Sequence, residues 1–171
     1  KNNESKLVLD LNNDNRIKGI IGQGILGVAS QNKLVYVSYT IQNINGLTTL
    51  VVDEYSMDFT KVRNIIKIGG MKGHFGGNLL FDNLGKLYLS VGVDEDDLYG
   101  AQDLNSLRGK ILRLDLSESK LEPEIIAYGI REPWGGTIDS KDRMFILQCG
   151  SENIEAVYLL NDLYSGIPAN L

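Results

Sequence analysis

An all-β fold built from repeated antiparallel units is what this sequence predicts, and three observations carry the prediction. Apolar residues at helical spacing are nearly absent along the 171 residues. Short runs rich in β-branched and aromatic residues alternate instead with polar turns. Nineteen glycines stand against three prolines, the excess expected where tight turns are many.

Taken in order, residues 6–11 (KLVLDL) read as the outer strand of a preceding unit, because no inner hairpin comes before them. Residues 27–40 (GVASQNKLVYVSYT), 79–92 (LLFDNLGKLYLSVG) and 136–150 (GTIDSKDRMFILQCG) each read as a hairpin. The turns fall at Gln31-Asn32, Asn83-Leu84-Gly85 and Ser140-Lys141-Asp142. Each second strand carries an aromatic (Tyr36, Tyr88 and Phe145), spaced 52 and 57 residues apart. A third strand follows every hairpin, at 48–55, 109–116 and 155–160, and a fourth follows the first two, at 62–69 and 124–129. Four strands recurring about every 50 residues mark a β-propeller blade. A β-sandwich, the alternative, supplies short strands without so regular a recurrence.

The expected organisation is one partial propeller domain over 1–171, with blade units at about 1–22 (partial), 23–70, 71–130 and 131–171 (partial). That is roughly three four-stranded blades, whereas propellers close with at least about four. The chain is therefore read as a piece of a longer polypeptide, or as one that closes its ring with other chains; the absence of Met at position 1 fits the first.

Charge and composition narrow the function. With 17 Lys+Arg against 22 Asp+Glu, a net charge of −5 and a pI near 4.9, the chain lacks the basic patch a non-specific nucleic-acid binder needs. No run approaches 18 apolar residues, so no membrane span is expected, and any signal peptide has been removed or lies outside this chain. Cys149 is the single cysteine, read as a buried thiol without an internal disulfide partner. His74 is the single histidine, which excludes multi-histidine metal sites.

Several segments together resemble the glucose/sorbosone dehydrogenase family, the soluble quinoprotein aldose sugar dehydrogenases and their hedgehog-interacting-protein-like relatives. They are GQGILGVA (22–29), LVYVSYT (34–40), GHFGGNLLF (73–81), GAQDLNSLRGKILRLDL (100–116) and PEIIAYGIREPW (123–134). The resemblance implies a six-bladed propeller of which this chain is the middle part, and an extracellular or periplasmic location. It also implies oxidation of a sugar hydroxyl by pyrroloquinoline quinone (PQQ), with calcium assisting.

Within the resemblance, His74 in Gly73-His74-Phe75-Gly76-Gly77 falls on the catalytic base, suited to take a hydroxyl proton. Gly76 and Gly77 would let a flat cofactor approach the inner strand. Arg131 falls on an arginine that would bind a cofactor carboxylate and offset charge on the reduced quinone. Trp134 follows it, as a cofactor-stacking residue or, more simply, a blade-core aromatic. Bland alternatives stand beside these: a loop histidine at 74, and an Arg131 paired with Glu132. The metal ligands are unassigned.

The departures are informative. The family's Asn before the histidine is Gly73, and the Asn after the arginine is Glu132, a carboxylate near a cofactor that carries three. The family's Gly-Asp-Gly-Gly becomes Gly92-Val93-Asp94-Glu95, and its Asp-Val-Gly-Gln-Asn becomes Gln148-Cys149-Gly150-Ser151-Glu152. Retained scaffold with altered pocket is the pattern of a fold kept without its cofactor.

Other motifs read as structural. Asp94-Glu95-Asp96-Asp97 is a solvated acidic loop or, alternatively, a cation site. Gly69-Gly70 with Lys72 lacks the spacing of a phosphate loop. Asp103 and Arg108 are expected to make structural pairs, and Asn3-Glu4-Ser5 is a glycosylation acceptor pattern. The functional expectation is a PQQ-dependent sugar dehydrogenase-like protein with a sugar-type substrate, needing further blades to complete its pocket. The alternatives are a catalytically inactive propeller serving as an interaction module, and a carbohydrate-binding relative without redox chemistry.

Overall fold

A computed structural model describes residues 4–11, 17, 24–43, 45–117, 122–150 and 155–171. Strands β1 (Ile25–Gln31), β2 (Leu34–Gln42), β3 (Thr48–Ser56) and β4 (Lys61–Met71) form one antiparallel sheet in that order. A second sheet is built from β5 (Gly76–Phe81), β6 (Leu87–Val91), β7 (Lys110–Leu114) and β8 (Glu124–Tyr128). A third holds β9 (Pro133–Ile138), β10 (Met144–Cys149) and β11 (Glu155–Leu160). All three expected hairpins are present.

Local chemistry fixes each hairpin. Asn32 and Lys33 close the first, both at positive φ (52° and 63°), the backbone that a two-residue loop between twisted strands requires. The turn is thus one residue later than the sequence reading put it. In the second, the Asp82 carboxylate accepts from the amides of Leu84 and Lys86 at 2.9 Å each. In the third, Asp139 does the same for Lys141 and Arg143, at 2.9 and 3.0 Å. An aspartate bonding the backbone two residues on is a turn device in itself.

The three sheets stack in chain order, with the first strand of the middle sheet, β5, lying between β1 and β9. Alternation along the strands gives the middle sheet two apolar faces. Leu79, Leu87, Leu89, Leu112 and Leu114 pack against Leu50, Val52, Ile65 and Ile68 of the first sheet. Tyr88, Ile111, Ile126 and Ala127 pack against Met144, Ile146 and Leu160 of the third. Every residue of β6 is buried, and each such leucine contributes roughly 1.5–3 kcal/mol of burial free energy.

Two features correct the sequence reading. Residues 6–11 form no strand; Leu9 and Leu11, with Ile17 and Phe59, instead rest their side chains on Val35, Val37, Tyr39, Val51 and Tyr55. The alternating leucines that suggested a ladder cover the outer flank of the first sheet without one. The unanticipated strand is β12 (Ala169–Asn170), which pairs parallel to β8 on the outer edge of the middle sheet. Its approach is held by Arg113, which donates to the Leu163 carbonyl at 2.8 Å and lies over the Tyr164 ring at 4.7 Å. Two residues of strand are too short for any periodicity to reveal. Asn3 of the glycosylation pattern, and Ser151 and Glu152, lie outside the described residues.

Candidate functional site

The segments 72–75, 92–109 and 129–132 all leave the same end of the sheets, where β5 and β9 begin and β6 and β8 finish. They are laced together through backbone. Gly92 donates to the Phe75 carbonyl at 3.3 Å, Val93 to that of Arg131 at 2.8 Å, and Glu95 to that of Lys72 at 2.9 Å. Gly92 is required there, since a Cβ would stand 1.7 Å from the His74 carbonyl oxygen. His74 itself has φ of 28°, an uncommon conformation for a residue with a side chain.

These segments enclose a cleft of about 210 Å³. Leu26 and Phe75 give it an apolar side; His74, Glu95, Glu132 and Trp134 give it polar and aromatic groups. Glu132 Oε2 lies 2.7 Å from His74 Nδ1, with the two side chains 14% and 15% exposed. A carboxylate at that distance accepts the Nδ1 proton and leaves Nε2 as the nitrogen with a free lone pair, the arrangement of an oriented base.

Of the residues singled out from sequence, His74, Gly76 and Trp134 line this cleft. Trp134 is 55% exposed, which overturns its reading as a core aromatic. On β9 it alternates with the buried Pro133 and so takes the opposite face. The space left by the two glycines is filled by protein. A Cβ on Gly76 would lie 2.9 Å from the Ser90 carbonyl, and one on Gly77 would lie 2.5 Å from the Leu26 side chain. Both also sit at positive φ (68° and 91°), so close backbone packing and conformation demand them.

Arg131 reaches the same end of the sheets but does not line the cleft. Its Nη1 donates to the carbonyls of Cys149 and Gly150 at 3.5 and 3.3 Å and approaches Glu132 only to 3.8 Å. Its Nε is buried without a hydrogen-bond partner among the described residues. Glu132 and Glu95, absent from the sequence list of site residues, are therefore the charged groups that join His74. The replacement of the family's Asn by Glu132 was the signal for the first; the second lay in the altered Gly92-Val93-Asp94-Glu95 segment, which was read as an acidic loop.

The acidic loop is mostly internally engaged. Asp94 is buried against Arg108 at 2.9 Å, Asp96 pairs with Lys72 at 2.5 Å, and Asp97 accepts from the Gly100 amide at 3.1 Å. Arg108 also donates to the carbonyls of Gly69 and Gly70, so its carboxylate partner is Asp94 rather than Asp103. Among the described residues no group of three or more His, Cys, Asp or Glu is placed to hold a metal ion. Beneath this loop the fully buried Lys110 donates to the carbonyls of Gly100, Ala101 and Arg108 at 3.0, 2.8 and 2.6 Å. Its ammonium does structurally what a bound cation would do. Cys149 is half-buried rather than buried, and its thiol pKa is pushed up by a hydrogen bond with Glu155 and by burial.

Comparison with known proteins adds the following. The Glucose / Sorbosone dehydrogenase family model matches residues 15–162. The chain is 32% identical over 126 residues to the aldose sugar dehydrogenase YliI of Escherichia coli (strain K12), covering 62% of this chain and 33% of that protein. It is 30% identical over 135 residues to the HIPL1 protein of Arabidopsis thaliana, covering 60% and 19%. It is 24% identical over 163 residues to the hedgehog-interacting protein of Homo sapiens, covering 72% and 23%. Among solved structures, a glucose dehydrogenase aligns with a TM-score of 0.68 at 22% identity, over 79% of this chain and 46% of that one. The soluble aldose sugar dehydrogenase from Escherichia coli, in its apo-form, aligns with a TM-score of 0.62 at 27% identity, over 74% and 42%. The fold is that of part of a β-propeller, and the chain spans a third or less of these curated relatives and under half of these solved chains.

Proposed function

This chain belongs to the glucose/sorbosone dehydrogenase family, and from that premise we propose that it is a partial propeller domain supplying the proton-accepting part of a sugar-oxidising site. The observation that carries the reading is the His74–Glu132 pair at 2.7 Å on the wall of a cleft beside an exposed tryptophan. Glu132 orients the imidazole through Nδ1; Nε2 takes the proton of a hydroxyl bound in the cleft; the Trp134 ring offers an apolar face to a sugar ring. General-base action of this kind contributes about 10²–10⁴-fold to rate.

The cofactor implied by the resemblance does not fit the described residues on their own. PQQ carries three carboxylates, and the charged groups on the cleft wall are Glu95 and Glu132, while the Arg131 guanidinium is directed to backbone carbonyls. The cations such a group needs would come from the blades that complete the ring, and calcium, if used, would be held there too. In this reading the protein works outside the cytoplasm, and no helix among the described residues is long and apolar enough to cross a membrane.

The test is dye-coupled sugar oxidation by the full-length protein, with and without added PQQ and calcium. Activity that falls at least about 10²-fold in His74→Gln supports the reading. Undiminished activity in that variant, or none in the wild type under any supplement, overturns it. Glu132 favours a second reading: a carboxylate unfavourable to an anionic cofactor suits a propeller kept for interaction, as the name of the human relative suggests for that protein. That reading predicts a stoichiometric complex with a partner protein and no turnover.

A further inference from the structure

Among the described residues, the cations close to the cleft mouth are each engaged with other groups, Arg131 in part with Glu132 at 3.8 Å. Lys72 holds Asp96 at 2.5 Å, Arg108 holds Asp94 at 2.9 Å and the carbonyls of Gly69 and Gly70, and Arg131 holds those of Cys149 and Gly150. The two carboxylates on the wall are placed otherwise. Glu132, 14% exposed, lies 2.7 Å from His74 Nδ1 and 3.8 Å from Arg131 Nη1. Glu95 is exposed on the cleft wall, with its carboxylate standing over Gly73: a Cβ there would lie 3.0 Å from Glu95 Oε2. With Trp134 also on the wall, the cleft combines negative charge with an exposed aromatic face, the two features that recognise an organic cation.

We propose that this cleft selects a cationic sugar: a pyranose or polyol carrying a protonated primary amine, its ring on Trp134 and its ammonium between Glu95 and Glu132. The inference rests on the sugar-site reading above and goes beyond it by naming the charge of the ligand. Coulomb attraction from the exposed Glu95 and the more buried Glu132 favours the ammonium form over a neutral hydroxyl at the same position. The same charges disfavour sugar acids. Acetylating the amine removes the charge and adds bulk, so an N-acetyl sugar loses the advantage.

The experiment measures binding of glucosamine, glucose, N-acetylglucosamine and gluconate to the full-length protein by calorimetry. It is run at about pH 6.5, below the roughly 7.7–8.0 at which a comparable amine titrates. The expected order is glucosamine first by at least about tenfold over glucose, with gluconate weakest and the preference shrinking as salt is raised. Glu95→Gln should bring the glucosamine-to-glucose ratio down several-fold, and Glu95→Asp should keep part of it. Equal binding of glucosamine and glucose, or a ratio unmoved by Glu95→Gln, overturns the proposal while leaving the sugar site intact. Binding of none of the four overturns the sugar site itself, and this inference with it.

Discussion

Glu132 and His74 sit in connections to different sheets, yet the Glu132 carboxylate holds the His74 Nδ1 at 2.7 Å, so the imidazole is oriented from the neighbouring blade. The two positions therefore have unequal tolerance. Glutamine at 132 can still offer a carbonyl oxygen to the Nδ1 proton, whereas leucine cannot. Steady-state sugar oxidation should fall by about tenfold in Glu132→Gln and by at least about 10²-fold in Glu132→Leu, mainly in kcat. Equal losses in the two variants would count against an orienting role.

A second expectation concerns acid stability. Burial raises the Asp53 carboxyl, but hydrogen bonds from Lys61, Tyr39 and Asn64 outweigh it and leave the pKa below the ordinary 3.8. A carboxylate depressed on folding adds stability that is complete above its unfolded value and disappears as pH falls through the folded one. Asp53→Asn should lower stability by about 2 kcal/mol at neutral pH, most of it from the buried carboxylate, because Lys61 is 49% exposed and solvent replaces much of its pairing. Thermal melts of wild type and variant should converge below about pH 4; a constant gap would contradict the assignment.

Gly92 offers a test that separates site from fold. An added Cβ has to push back the His74 carbonyl, 1.7 Å away. Gly92→Ala should cost about 1–3 kcal/mol, the range of an overpacked core, and displace the His74 backbone. Activity should fall further than the melting temperature alone accounts for, measured well below the transition.

Lys110 is the fourth case. Lys110→Met keeps the length of the side chain but leaves three carbonyls without their ammonium donor, for an expected loss of about 3–5 kcal/mol. Hydrogen exchange should accelerate first at the Gln102 and Gly109 amides, whose acceptors lie in this loop and in Gly92. Uniform acceleration over the whole chain would mean that the lysine supports the fold rather than the loop.

Much of the architecture was legible because alternation and turn chemistry are local. The Tyr36, Tyr88 and Phe145 strands became β2, β6 and β10, and Asp82 and Asp139 make the turns that their neighbours announced. The candidate site was legible only in part. His74 was found through its surrounding motif, but its partner lies 58 residues along the chain, in a loop whose side-chain directions follow no period. Trp134 was open to two readings because aromatic content on an inner strand does not say which face it takes, and a motif position at Arg131 does not fix where a long side chain turns. The docking of residues 163–171 on β8 is a tertiary event, written in Leu163, Tyr164 and Arg113 jointly and in none of them alone.

That docking has a bearing on solubility. An outermost strand with open backbone groups invites a stranger's strand to add on. The first sheet guards its rim, β4, with the basic side chains of Lys61, Arg63 and Lys67. The middle sheet has β8, whose EIIAY offers a single charge, and it relies on Ala169 and Asn170 lying alongside as a cover. Clipping that cover away should promote self-association through β8, and it also removes the contact of Gln102 with Asn170 and the bond from the Leu171 amide to the Tyr128 carbonyl.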